Sequence, residues 1–131
     1  MKQHLAQLAL LVSDYDEAIA FYTLKLGFLL IEDTVLTESK RWVVVAPAGS
    51  QECKLLLAKA ANEAQKKSIG HQTGGRVFLF LHTDDFWRDY EQYLKNDIRF
   101  VRGPVKEAYG TVAVFEDLYG NLWDLIEPAK K

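Results

Sequence analysis

The chain runs through one order of apolar and polar segments twice, and that repetition limits its fold more than any single motif does. LAQLALLV (5–12) is short and nearly continuously apolar, the signature of a buried strand. Ser13 stands three residues before Asp16, a capping-box pattern, with Asp14, Asp16 and Glu17 at the positive end of the coming helix. In YDEAIAFYTLKLG, Ile19, Tyr22 and Leu26 mark one helical face, and Gly27 is the expected stop. FLLIEDTVL (28–36), RWVVVAP (41–47) and CKLLLAKA (53–60) then read as three strands, the first two joined by a turn at TESK. A polar stretch, ANEAQKKSIGHQTGG (61–75), ends in Gly-Gly and reads as a surface connection with room for a helical turn.

The order then restarts. RVFLFLH (76–82) is an apolar strand and Thr83–Asp84 a cap signal. DFWRDYEQYLKN sets Phe86, Tyr90, Tyr93 and Leu94 on one helical stripe and leaves Trp87 off it. IRFVRGP (98–104) reads as a short strand ended by Gly-Pro, and YGTVAVFED (109–117) and NLWDLIEP (121–128) as strands joined by a tight turn. A shift of 71 positions lays Ile19 on Tyr90 and Tyr22 on Tyr93, and a shift of 70 lays Phe28 on Ile98 and Ile31 on Val101. The repeat predicts an α+β fold: two βαβββ modules in tandem, forming a curved sheet around a concave pocket, with the helices outside. The expected organisation is a single domain over 1–131, with module 1 at about 4–60, a linker at about 61–75 and module 2 at about 76–128.

Composition narrows the class. A chain of 131 residues that is 49% hydrophobic and 26% charged can build its own core without a metal or disulfide staple. Its net charge of −2, with no basic run longer than a Lys pair, points away from nucleic acid. No apolar run approaches a membrane span, and the first sixteen residues lack a signal-peptide cleavage pattern. Cys53 is the single cysteine, which rules out an internal disulfide; its surroundings hold nothing to activate the thiol. A cytoplasmic location is expected.

Two stretches carry a resemblance. LLVSDYDEAIAFYTLKLGF resembles the opening of the vicinal-oxygen-chelate superfamily, which includes glyoxalase I, bleomycin-resistance proteins and extradiol dioxygenases. EDLYGNLWDLIEP resembles its closing motif: an Asp, a two-residue spacer, Gly-Asn, then a strand ending in Glu-Pro. Metal-using members take four ligands from four strands, and by position the resemblance places these at Gln7, near Leu56, at Phe78 and at Asp124. Gln7 and Asp124 offer oxygens, whereas Leu56 and Phe78 offer nothing. Two oxygen donors are too few for tight binding of zinc, iron or nickel. The resemblance therefore implies a degenerate metal site, with Gln7 and Asp124 as the remaining candidates for any divalent ion and no cofactor otherwise expected.

Asp124 poses the sharpest question. It sits between Leu122–Trp123 and Leu125–Ile126, and an unpaired carboxylate in an apolar run costs several kcal/mol unless it is neutralised. Strand alternation sets Leu122, Asp124 and Ile126 on one face and Trp123, Leu125 and Glu127 on the other. Asp124 is thus a structural carboxylate or a ligand-contacting one. Arg76, Phe78, Phe80 and His82 alternate on their strand, and Arg76 or His82 is a potential counter-charge for it. His82 is a candidate general base at the strand end or a solvated residue before a helix cap. Gln7 is a ligand contact or a core amide. Trp42 and Tyr109 are candidate pocket linings beside Arg76, Phe78, Phe80 and Leu56. His4 and His71 show no ligand spacing.

Two functional expectations remain open. One is a glyoxalase/bleomycin-resistance-like protein, homodimeric, that binds a small, partly apolar molecule. The alternative is an enzyme, a metal-dependent glyoxalase-like lyase/isomerase or a dioxygenase acting on a small carbonyl or aromatic compound, with Asp124 and His82 as catalytic groups.

Overall fold

The computed structural model describes residues 1–130. The chain forms two compact units, Met1–Gly70 and the chain from His71 onward. Each is a βαβββ module with its own four-stranded mixed sheet.

In the first unit, β1 (Gln7–Val12), β2 (Leu29–Val35), β3 (Arg41–Ala46) and β4 (Lys54–Lys59) lie in the order β1-β4-β3-β2. β1 runs parallel to β4, and the other pairs are antiparallel. Parallel neighbours need a crossover, which the helix supplies. That helix, α1 (Tyr15–Ala20), continues into one wider π-type turn at Phe21–Lys25. Its cap is Asp14, one residue past the expected Ser13: the Asp14 carboxylate accepts from Glu17 N–H at 2.8 Å, while Ser13 Oγ donates to the Glu17 carboxylate. Gly27 ends the segment as expected, at φ 76°, a conformation only glycine takes cheaply. The helix packs on β3 and β4. Strand alternation sends Leu10, Val12, Val43, Val45, Leu55 and Leu57 into the buried layer under it. The polar connection contains a short helix, α2 (Glu63–Ser68), capped by Asn62.

In the second unit, β5 (Val77–His82), β6 (Phe100–Glu107), β7 (Gly110–Glu116) and β8 (Leu122–Pro128) lie in the order β5-β8-β7-β6, with β5 parallel to β8. The helix α3 (Phe86–Lys95) is capped by Asp85, one residue past the expected Thr83–Asp84 signal. Phe86, Tyr90 and Tyr93 meet a stack of rings that runs through Phe100 and Phe115 to Trp123. Leu94, expected on the same stripe, is instead exposed, whereas Ile98, past the end of the helix, is buried.

β6 corrects the expected strand at 98–104. It runs on through Gly103–Pro104 to Glu107. β6 is an edge strand, so one side of its backbone has no ladder partner and a proline there forfeits no bond. The irregularity appears instead as register shifts at Phe100/Arg102 and Arg102/Val105.

The closing motif is a turn held by one side chain. Asp117 and Asn121 are both buried. Asp117 Oδ1 accepts from the backbone N–H of Tyr119 and of Asn121, each at 2.9 Å, and Oδ2 accepts from the Asn121 amide at 2.8 Å. Gly120 supplies the positive φ of 90° that closes it.

Candidate functional site

Each sheet has one face under its helix and one turned away from it, and the latter is covered in part: Val44 on the first sheet and Val112, Val114 and Ile126 on the second are buried. On β8 the division follows the expected alternation. Trp123 and Leu125 are buried on the helix side, and Glu127 Oε1 accepts from the Phe86 N–H that begins α3, at 2.8 Å. Asp124 therefore lies on the opposite face, beside the buried Val114.

Strand register builds its neighbourhood. Asp124 pairs with Phe80 on β5 and with Val114 on β7, and Val114 pairs in turn with Arg102 on β6. A row Phe80–Asp124–Val114–Arg102 thus crosses the whole sheet. Phe80 is 63% exposed, a large apolar side chain at the uncovered end of this row. Asp124 Oδ1 is buried and accepts no hydrogen bond among the described residues. Desolvation pushes the Asp124 carboxyl above its ordinary value, and the positive charge of Arg102 partly opposes that rise.

The charge acting on Asp124 is therefore Arg102, and neither of the expected counter-charges takes that part. Arg76 is exposed at the mouth of β5, where its carbonyl accepts from the Thr73 hydroxyl. His82 is exposed and pairs with Ile126, two residues beyond Asp124. Sequence alternation misses Arg102 because the two bulges in β6 remove the period of two that would have placed it.

The remaining residues distribute as follows. Phe78 is half-buried at the register shift between Val77 and Leu79, and Tyr109 is exposed in the β6–β7 turn. In the first unit, Gln7 is half-buried and shares the face away from α1 with Ala9 and Leu11. Leu56 pairs with Val44 and Ala9 on that same face. Trp42 and Leu56 also border a cleft of about 550 Å³ at one end of the sheet.

A divalent-metal site does not fit these residues. Leu56 and Phe78 carry no donor atom at the positions to which the resemblance assigns ligands, and no group of three or more His, Cys, Asp or Glu side chains comes together among the described residues. What this face of the second unit offers is an acceptor oxygen beside an exposed ring.

Comparison with known proteins agrees with this architecture. The family model for the Glyoxalase/Bleomycin resistance protein/Dioxygenase superfamily matches residues 4–125. A protein of Shewanella frigidimarina (strain NCIMB 400) is 62% identical over 128 residues, 97% of this chain and 95% of its own length. Among solved structures, UcmS2 aligns with a TM-score of 0.84 at 32% identity, covering 97% of this chain and 99% of that one. TnmS3, an antibiotic binding protein from Streptomyces sp. CB03234, aligns with a TM-score of 0.79 at 28% identity, covering 98% of both chains. Tandem βαβββ units, a match across nearly the whole sequence and these structural likenesses together place the chain in the Glyoxalase/Bleomycin resistance protein/Dioxygenase superfamily.

Proposed function

We propose that this protein binds a small, partly apolar molecule at Phe80 and Asp124, on the face of its second sheet away from α3, in the manner of bleomycin-resistance proteins, and performs no metal-dependent chemistry there. The observation that carries the reading is Asp124 Oδ1: a buried, unpartnered acceptor set next to the exposed ring of Phe80. An unsatisfied buried acceptor costs about 1–3 kcal/mol, which a ligand N–H or O–H would recover on binding. The apolar part of the ligand stacks on Phe80, and its donor meets Asp124. The likeness to TnmS3 supports an antibiotic or similar natural product as the ligand class. Phe78 and Tyr109 are secondary candidates for contact, and Arg102 tunes the charge of Asp124.

A homodimer belongs to this reading. β2 lies at a sheet edge, and Leu29, Leu30, Ile31 and Val35 along it are all exposed. A long apolar edge strand invites pairing with a second copy. Sedimentation as a monomer at micromolar concentration would remove that element. Among the described residues no helix is long and apolar enough to cross a membrane, and the lone Cys53 suits a reducing cytoplasm.

The test is calorimetric titration with bleomycin and a panel of other natural-product antibiotics, with the metal content of the same sample measured. The expected result is at least one ligand at a micromolar Kd or tighter, about −8 kcal/mol, in protein free of stoichiometric metal. One zinc, iron, nickel or manganese per chain, with no panel member bound, would overturn the reading in favour of the lyase/isomerase or dioxygenase alternative.

A further inference from the structure

The cleft of the first unit owes nothing to Asp124. β3 and β4 pair only over Val43–Val45 and Leu55–Leu57. Beyond Val43, β3 stays laddered to β2 through Trp42 and Arg41. Beyond Leu57, β4 stays laddered to β1 through Ala58 and Lys59. Each strand keeps its outer partner while the inner pairing is lost, so the sheet forks. The phenol of Tyr15, from the start of α1, reaches the fork: its oxygen accepts from Arg41 N–H at 3.1 Å, a bond that the ladder would otherwise supply. The fork opens into the cleft of about 550 Å³, within the size range of small-molecule sites.

The polar groups around this cleft are one-sided. Trp42, Leu56 and Ala58 give it an apolar wall, while Lys40, Lys59 and Gln65 stand at its border. Gln65 Oε1 is already occupied by Ala61 N–H at 2.7 Å, which leaves the amide N–H groups to donate. Arg41 is occupied as well, by Asp33 at 2.7 Å and Asp16 at 2.9 Å, and lies over the Tyr15 ring. The ammonium groups of Lys40 and Lys59 enter no ion pair, and no Asp or Glu lines the cleft among the described residues. Two free cations, an amide donor and an indole, with no carboxylate to compete, select a flat apolar body carrying negative charge.

We infer that the β3–β4 fork of the first unit is a binding site for a small aromatic anion, a carboxylate, sulfonate or ionised phenol on a one- or two-ring body. The rings lie against Trp42 and Ala58. The charge is met by Lys40 and Lys59, with Gln65 donating from α2. This goes beyond the ligand site on the second sheet, because every residue it needs lies in the first unit.

The probe is 8-anilinonaphthalene-1-sulfonate, compared with N-phenyl-1-naphthylamine, which has the same rings without the sulfonate. Binding is followed by probe fluorescence and by amide and indole NMR shifts on the full chain. The sulfonate is expected to bind at least about tenfold more tightly than the neutral amine, one 1.4 kcal/mol step, with shifts centred on the Trp42 indole and the Gln65 side-chain amide. The pair Lys40→Gln and Lys59→Gln, both exposed positions, should abolish that preference, and Trp42→Phe should weaken both probes. Asp124→Leu should leave sulfonate binding unchanged. Equal affinity for the two probes, or a preference that survives the lysine pair, would overturn the fork assignment and leave the second-sheet reading standing. Loss of sulfonate binding in Asp124→Leu would also overturn it, by placing the anion on the other sheet.

Discussion

The two units share one βαβββ plan, and each holds one strand aspartate, treated in opposite ways. In the first, Asp33 on β2 meets Arg41 of β3 through two parallel bonds, at 3.1 and 2.7 Å, and that guanidinium also holds Asp16. The pairing lowers the Asp33 carboxyl below its ordinary value. In the second, Asp124 has an arginine in its row but not in its grasp, since Val114 stands between them, and its carboxyl is raised. An acid bound into a network is explained by the fold. An acid kept out of one at a cost to the fold calls for a function, and this contrast is why Asp124 rather than Asp33 anchors the proposed site.

The largest expected effect tests whether the second unit's own stability comes from elsewhere. Asp117→Ala removes a buried carboxylate that accepts three hydrogen bonds in the β7–β8 turn. It should cost about 3 kcal/mol, read as a fall in urea midpoint at unchanged slope. In the first unit, the β3–β4 turn at 47–50 has no buried acid, so Ser50→Ala should fall within about 0.5 kcal/mol of the parent.

Next comes the paired acid. Arg41→Ala should destabilise by about 1–2 kcal/mol, since the pair is bidentate and roughly three-quarters covered. Because the folded Asp33 titrates lower than the unfolded 3.8, its contribution is present above that value and fades as pH falls through the folded one. Stability curves of parent and Arg41→Ala should therefore converge at the acid end. Curves that stay parallel down to the acid limit would show that the contrast with Asp124 is not electrostatic.

The unpaired acid should behave in reverse. Because the folded Asp124 titrates above 3.8, ionising it works against the fold: relative stability is full below the unfolded value and is lost as pH rises through the folded one. Asp124→Asn should consequently gain up to about 1 kcal/mol at neutral pH and nothing in acid, where the parent is already neutral. The smallest effect belongs to Arg102→Gln, which removes the one opposing charge. The Asp124 titration midpoint, followed by carboxyl carbon NMR, should then move further upward.

Much of this was legible from residue order. The two βαβββ modules, the Gly27 stop and the facing of Trp123 against Asp124 follow from periods of 3.6 and 2 and from turn chemistry. The site was half legible. Phe80 and Asp124 were both candidates, but nothing local says that register makes them neighbours. Arg102 was hidden by the bulges on either side of it, and the full length of β6 by Gly103–Pro104, which reads as a terminator unless the strand is known to lie at an edge. The β3–β4 fork was invisible for a similar reason, because RWVVVAP and CKLLLAKA do not announce where two strands stop pairing.

The most direct test of the central claim is a paired measurement on Asp124→Leu: its melting temperature, and its affinity for whichever panel antibiotic the parent binds. The account predicts a protein that melts no lower than the parent and binds at least about tenfold more weakly, by 1.4 kcal/mol or more. A variant that melts lower while keeping its affinity would contradict it, for Asp124 would then serve the fold and not the ligand.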